Sequence, residues 1–144
     1  MANSFQQKIA EINRRIPKFI KDLPRIAKIE GLQFIADNFK QQGFEKTPGS
    51  YDKWNEKKKG RKPTLLGENR GGAMRRSFAS DTTTREHAVE FTSQKPYTEV
   101  HNNGLTAGKP PGFTMPQRQM IGPSDALDKR IENKFDRMAK EIFM

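Results

Sequence analysis

The sequence contains no cysteine, which excludes disulfides, a thiol nucleophile and cysteine-ligated metal sites. Its 144 residues include only two histidines, His87 and His101, and their spacing is not that of zinc ligands. No apolar run approaches the roughly 20 residues that cross a bilayer. Residues 1–10 also lack the apolar middle of a secretion signal. These absences favour a protein of an intracellular compartment that does not contact a membrane.

Residue groups that could carry catalysis are scattered along the chain. Ser77, Ser80 and residues 82–84 supply hydroxyls, but none stands in the context of a nucleophile elbow. Glycines at 67, 71 and 72 would suit a phosphate-binding loop, but the Walker spacing that ends in Gly-Lys-Ser/Thr is missing. We therefore expect no enzymatic activity and no cofactor.

The chain is also poor in apolar residues. They make up 33% of the sequence and charged residues 31%, whereas an average soluble domain is roughly 45–50% apolar on a count that includes glycine. Either much of the chain is loop or extended arm, or the fold buries surface against neighbouring copies. The two explanations are compatible.

The formal net charge is +10, and the whole excess lies in residues 1–76, which hold 18 Lys and Arg against 8 Asp and Glu. This charge attracts phosphate or an acidic protein surface, unless it only solvates a loop. The candidate contacts to DNA or an acidic partner are Lys57, Lys58, Lys59, Arg61, Lys62 and Arg70. Trp54 and Tyr51 lie in the same stretch and could stack on bases. For Trp54 we favour the other interpretation, an anchor that joins the loop to the core.

Two helices are predicted in residues 1–42. Phe5, Ile9, Ile12, Ile16 and Phe19 recur at helical spacing, with Ser4 as the predicted N-cap. Pro17 predicts a kink or break near Ile16. A second helix is predicted from Asp22 to a stop at Gly43, weakened by Gly31 in its middle.

The next region, residues 43–73, is predicted as a basic loop with at most one helical turn around residues 51–56. Residues 74–122 are predicted as sheet and arm. Residues 74–80 and 84–93 would form an antiparallel hairpin, and residues 107–116 a loop or arm with a short extended piece at 113–115.

The last helix, residues 123–144, has the clearest pattern. Ser124 is its predicted N-cap, and its apolar stripe consists of Leu127, Ile131, Phe135, Met138 and Ile142. The predicted fold class is α+β. A small antiparallel β-sheet is flanked by N-terminal helices and a C-terminal helix, with long loops or arms, in one domain of residues 1–144.

Three blocks in the second part of the chain follow one another in a familiar order. They are the strand entry from Leu66 to Phe78, the turn Pro96–Gly104, and Met115–Gly122 followed by the final helix. In this order the chain resembles the phage virion morphogenesis family, which includes the Mu-type tail-completion proteins. It departs from the family pattern at Gln117 and Gln119, which replace a small residue and a proline, and at residues 68–72, which look like an insertion.

The resemblance implies a structural virion protein of a tailed bacteriophage, assembled in the host cytoplasm. It would be a tail-completion (tail-terminator) or neck subunit that forms a homo-oligomeric ring, of six copies or alternatively twelve. Its implied partners are head–tail connector or adaptor proteins, tail tube proteins and genomic double-stranded DNA in the lumen, contacted without base specificity. An alternative interpretation of the charge is a small basic nucleic-acid-binding protein.

Within this ring, a segment near the C-terminus is the predicted contact between subunits. Met115, Pro116 and Ile121 are apolar groups with little local core to bury them. Arg118 could fix the register by bonding a carboxylate or carbonyls. These four residues could equally close the chain's own core.

Overall fold

The computed structural model describes residues 3–54 and 73–143. The described residues form four helices and three antiparallel two-stranded sheets. The helices are α1 (Ser4–Gln41), α2 (Ala73–Asp81), α3 (Pro96–Asn103) and α4 (Asp125–Phe143). The paired strands are β1 (Gly43–Thr47) with β2 (Ser50–Lys53), β3 (Thr83–Arg85) with β4 (Ala88–Glu90), and β5 (Thr106–Ala107) with β6 (Phe113–Thr114). The predicted α+β class is confirmed, with the strands distributed over three hairpins. None of the helices in this part of the chain combines the length and apolar character needed to cross a bilayer.

Helix α1 is one continuous helix of 38 residues, so the predicted break near Pro17 and the second helix start are wrong. Its N-cap is Asn3, not Ser4. Asn3 and Gln6 form a capping box, with Asn3 Oδ1 accepting from the Gln6 N–H at 2.8 Å. A proline in a helix removes one hydrogen bond and costs about 3 kcal/mol or more. Pro24 is buried, and the packing of α1 against α4 offsets that cost.

Helix α2 occupies residues 74–80, which the sequence predicted as a strand. Its buried residues are Met74, Ser77 and Phe78, which share one helix face. A run this short does not separate helical spacing from strand alternation, and the strand prediction there is wrong. The predicted hairpin between residues 74–80 and 84–93 is therefore wrong too, and a shorter hairpin of β3 with β4 lies at residues 83–90.

Two further segments differ from prediction. Residues 43–53, the start of the predicted basic loop, form the β1–β2 hairpin, whose strand β1 begins with three buried residues. Residues 96–103 form helix α3, where Pro96 stands in the first turn and Gly104 ends the helix at φ 66°. Proline is well suited to a first helical turn, because its missing N–H would have no helical partner there.

Helix α4 confirms the prediction. Ser124 Oγ accepts from the Leu127 N–H at 3.1 Å, and the same hydroxyl donates to the Glu45 carbonyl at 2.6 Å. The N-cap therefore also joins α4 to β1. The Glu45 side chain, with Asp37 of α1, binds the Arg130 guanidinium of α4 at 3.0 and 2.8 Å.

Burial and this ion pairing have opposite effects on the pKa of Arg130. Burial alone lowers the pKa of Arg130, but its hydrogen bonds to Asp37 and Glu45 outweigh burial and leave the pKa above its usual value. The guanidinium also lies 5.5 Å from the centre of the Phe34 ring. These contacts join α1, β1 and α4.

The core lies where these elements meet. Phe34 packs edge-to-face on Phe44 with ring centres 5.7 Å apart, and Phe39 packs similarly on Trp54 at 5.4 Å. Gly31, predicted to weaken α1, lies under the Phe91 ring, where an added Cβ would come within 2.0 Å of the ring. Glycine therefore permits this close approach of the β4 side of the chain to α1.

Asn38 is a fully buried polar side chain at the centre of this core. Its Nδ2 donates to the Met120 carbonyl at 3.0 Å, and its Oδ1 accepts from the Glu45 N–H at 3.1 Å. One amide thus satisfies a backbone group on each of two other segments. A buried backbone group without a partner costs about 1–3 kcal/mol.

We predict that Asn38→Ala lowers the free energy of unfolding by about 2–5 kcal/mol, because it leaves the Met120 carbonyl and the Glu45 N–H without partners. Urea denaturation followed by far-ultraviolet circular dichroism measures the change.

The control is Asn133→Ala, the same substitution at an exposed position of α4, which should change stability by less than about 0.5 kcal/mol. Equal stability of the two variants would contradict the central role of the Asn38 amide.

Candidate functional site

The four residues predicted to contact a neighbouring subunit lie in three different environments. Pro116 is exposed, Met115 and Ile121 are half-buried, and Arg118 is only 6% exposed. Ile121 packs against the core cluster. In the single chain, Arg118 and Ile121 therefore belong to its own interior, and only the 115–116 end of the segment faces outward.

Residues 119–121, the inner end of the segment 115–121, are bonded to three other parts of the chain. Trp54 Nε1 donates to the Gln119 carbonyl at 2.9 Å, and Asn38 binds the Met120 carbonyl as described. Asn102 Oδ1 accepts from the N–H groups of Met120 and Ile121 at 2.7 and 3.1 Å. The Met120 side chain is fully buried. The segment is thus fixed at its base.

The outer end leads into a hairpin with exposed apolar side chains. Residues 105–116, named here the β5–β6 hairpin, expose 56% of Phe113 and 41% of Leu105. The Met115 N–H donates to the Leu105 carbonyl at 2.9 Å, which closes the hairpin. The sequence prediction did not single out the exposed Phe113 and Leu105. Their signal was available, since both are large apolar residues in a stretch rich in glycine and proline.

Two titratable groups lie behind the base of the hairpin. Burial lowers the pKa of His101 below 6.5, and the positive charge of Arg118 lowers it further. The Arg118 N–H donates to the His101 carbonyl at 2.8 Å. Among the described residues, His101 Nδ1 is a buried nitrogen without a hydrogen-bond partner. His101 is therefore neutral at neutral pH.

The predicted basic contacts, Lys57, Lys58, Lys59, Arg61, Lys62 and Arg70, lie outside the described residues. The described residue that leads into them is Trp54, which is 7% exposed and bonds the Gln119 carbonyl. The anchor interpretation of Trp54 is confirmed. Tyr51 lies nearby, where burial raises its pKa and the charge of Glu45 adds to the effect.

Ser77, one of the hydroxyl residues considered in the sequence, belongs to a chain of hydrogen-bonded hydroxyl groups. The Ser77 and Ser93 hydroxyls share a hydrogen bond, and Ser93 is 2.9 Å from Thr98 Oγ1. The Ser77 hydroxyl also lies 2.6 Å from the Met74 carbonyl. This chain joins α2 to α3. Residues 3–54 and 73–143 contain no cluster of three His, Asp or Glu side chains that could hold a metal ion.

Comparison with known proteins gives one match. The sequence model described as the phage virion morphogenesis family matches residues 37–140. No curated protein and no solved structure matches the chain. The matched range includes the end of α1, most of the core, the β5–β6 hairpin and nearly all of α4.

The buried, neutral His101 predicts a loss of stability in acid. Above pH 6.5 the residue is neutral in both states and contributes no pH dependence. As the pH falls through 6.5, the unfolded chain takes up a proton that the folded chain does not, so the free energy of unfolding decreases until the lower folded pKa is passed. Urea denaturation between pH 7.5 and 5 should show a smaller decrease for His101→Gln than for the wild type.

The control is His87→Gln, which removes a histidine whose side chain is 75% exposed. It should leave the pH dependence as in the wild type. If His101→Gln showed the full wild-type decrease, the assignment of acid sensitivity to His101 would be wrong.

Proposed function

The chain belongs to the phage virion morphogenesis family, and on that premise we propose that it is a tail-completion or neck subunit that joins head and tail as a homo-oligomeric ring. Family membership gives a structural or morphogenetic role in a phage virion. The ring, its six or twelve copies and its position at the head–tail junction are our proposal. So are its partners, the head–tail connector or adaptor proteins and the tail tube proteins.

The observation that carries the proposal is the contrast between the β5–β6 hairpin and the segment that follows it. Residues 119–121 are fixed by bonds from α1, Trp54 and α3, whereas the hairpin exposes Phe113, Leu105 and Pro116. A contact surface on a fixed base loses little conformational entropy when it binds. The hairpin also lies inside the family match. We therefore assign the hairpin to the contact between a subunit and its neighbour or tail partner.

A comparison of burial energy with the cost of association indicates that one such contact is weak. Fully burying a large apolar side chain contributes about 1.5–3 kcal/mol, so Phe113 and Leu105 together contribute a few kcal/mol. Association itself costs an estimated 4–15 kcal/mol. The free protein should therefore be monomeric or weakly associated, and the ring requires several contacts closed at once.

The sign of the charge supports a second part of the proposal. The excess of basic residues lies in residues 1–76, and a ring at the head–tail junction surrounds the path of the genome. The basic residues from Lys57 to Arg70 would then contact duplex phosphates, or an acidic surface of the connector, without reading base sequence.

We predict that Phe113→Asp prevents incorporation into particles, because it places a charge in a contact that must lose water. Complementation of a phage that lacks this gene, followed by immunoblotting and electron microscopy of purified particles, measures incorporation and head–tail joining. We expect the Phe113→Asp protein to be absent from particles and tails to be left unjoined.

The matched control is Thr114→Asp, which adds the same charge at the neighbouring exposed strand position. Successive strand residues point to opposite faces, so this variant should be incorporated. Absence of the wild-type protein from purified particles would refute the proposed function, and normal incorporation of Phe113→Asp would refute the role of the hairpin.

The DNA contact has its own test. In filter binding to a random-sequence duplex, the wild type should bind with strong salt dependence. Lys57→Glu/Lys58→Glu/Lys59→Glu should reduce the slope of log K against log salt by roughly three, at about 0.9 for each phosphate that the protein no longer neutralises. A wild-type protein that does not bind duplex at low salt would assign the basic residues to a protein partner instead.

A further inference from the structure

The first part of α1 projects from the core and carries an apolar stripe. Residues 4–20, named here the N-terminal extension, precede Pro24, the first buried residue of α1. Within the extension, 70% of Phe5 and 43% of Ile9 are exposed. Residues 5, 9, 12, 16 and 19 recur at helical spacing and therefore share one face. The outer end of this face, at Phe5 and Ile9, is exposed, and its inner end is half-buried.

Helix α4 covers the rest of α1 and stops short of the extension's tip. Its Arg130 binds Asp37 near the C-terminal end of α1, and its Ile142 lies with Phe19 around a shared cleft. The two helices are therefore antiparallel, and α4 ends beside residues 14–22 of α1. The remaining ten residues, 4–13, reach roughly 15 Å further at 1.5 Å per residue.

A groove on the same molecule is suited to an apolar helix. It has a volume of about 330 Å³ and lies between α1, the β3–β4 hairpin and α4. Its apolar lining includes Ile20, Leu23, Ala27, Val89, Ile131 and Phe135. An amphipathic helix that lays its apolar face into such a groove is a recurrent mode of protein recognition.

The extension cannot fill the groove of its own chain. Ile20, Leu23 and Ala27 in the groove wall belong to the same continuous helix as Phe5 and Ile9. A straight helix cannot fold back onto its own side. Within the described residues, an extension that enters this groove therefore comes from another copy of the chain.

We propose that the N-terminal extension of one copy binds in the groove of the next copy, an inference that rests on the proposed ring. The two surfaces differ, so the contact is head-to-tail, the kind of interface that closes into rings. The charges are also complementary. The extension carries Lys8, Arg14, Arg15 and Lys18 against Glu11, while Glu86 of the β3–β4 hairpin lines the groove and Glu90 is already paired with Arg85 at 3.1 Å.

The area of the contact limits its strength. The projecting residues 4–13 span about 15 Å, and with a contact width of about 10 Å they cover roughly 150 Å² on each partner. The total of about 300 Å² is well below the 1,200–2,000 Å² of stable specific complexes. The extension alone therefore gives weak association, which the β5–β6 hairpin contact and ring closure must reinforce.

The extent of the family match separates the two contacts. The match begins at residue 37, so it includes the β5–β6 hairpin and excludes the whole N-terminal extension.

Disulfide trapping tests the contact directly, since the chain has no cysteine of its own. Full-length Ile9→Cys and Val89→Cys proteins, mixed at equal and high concentration under oxidising conditions, should form a covalent heterodimer, because a disulfide requires Cα atoms about 4.4–6.8 Å apart. The control mixture replaces Val89→Cys with Ile29→Cys, whose side chain is 53% exposed and is not part of the groove lining. We expect at least a tenfold lower yield from the control mixture.

A second measurement uses sedimentation of unmodified proteins. Ile9→Asp should weaken self-association at least tenfold, while Gln7→Asp should leave it within twofold of the wild type. Both variants add one negative charge to the extension, but residues 7 and 9 lie about 200° apart around the helix. Circular dichroism verifies that both remain folded.

The outcomes separate this inference from the proposed function. The extension contact would be overturned, and the ring left intact, by either of two results. One is an equal disulfide yield from the Val89→Cys and Ile29→Cys mixtures. The other is an Ile9→Asp protein that associates and enters particles as the wild type does. Absence of the wild-type protein from particles would overturn both. Selective trapping together with loss of association in Ile9→Asp supports the head-to-tail contact.

Discussion

The fold depends on the position of one buried amide. Asn38 is fully buried, and its two ends bond the Met120 carbonyl and the Glu45 N–H. The segments that carry these two groups are far apart in sequence, so no local structure supplies their hydrogen bonds. With the amide in place, the segment around Met120 crosses the core and receives further bonds from Trp54 and Asn102. The orientation of the β5–β6 hairpin, which directly precedes this segment in the chain, therefore depends on this contact.

Sequence patterns were sufficient for the fold class and for α4. Helix α4 has a long apolar stripe, a serine cap and acidic residues in its first turn, all of which indicate one structure.

The errors arose where a local rule competed with tertiary packing. Pro17 indicated a break, but the helix continues through it, and the buried Pro24 is packed against its surroundings. Met74 to Phe78 is too short for its helical spacing to be separated from strand alternation. Helix α3 was missed because residues 96–104 were interpreted as a turn, although Pro96 suits the first turn of a helix.

The candidate site was predicted only in outline. The segment 115–121 could be singled out because it holds apolar residues in a stretch with little regular structure. Its division into a buried inner end and an exposed outer end could not, since that depends on hydrogen bonds over about 20 to 80 residues of sequence separation. Arg118 shows the difference. Its charge suggests a surface contact, yet it is 6% exposed and burial lowers its pKa. Trp54 could be assigned to the core because it is the single tryptophan of a chain without a recognisable nucleic-acid-binding signature.

The low apolar content of the chain can now be related to its surfaces. A chain with 33% apolar residues has few large side chains to leave in water, yet Phe5, Ile9 and Phe113 are 70%, 43% and 56% exposed. Exposed apolar side chains of this size mark contact surfaces when they cluster. Here they cluster in two places, on a helical extension and on a hairpin, each supported by an element that is fixed in the core. A head-to-tail ring requires each subunit to offer different surfaces to its two neighbours. Two separate apolar projections and an apolar groove on one small subunit satisfy that requirement, whereas a protein that bound nucleic acid alone would have no need of them.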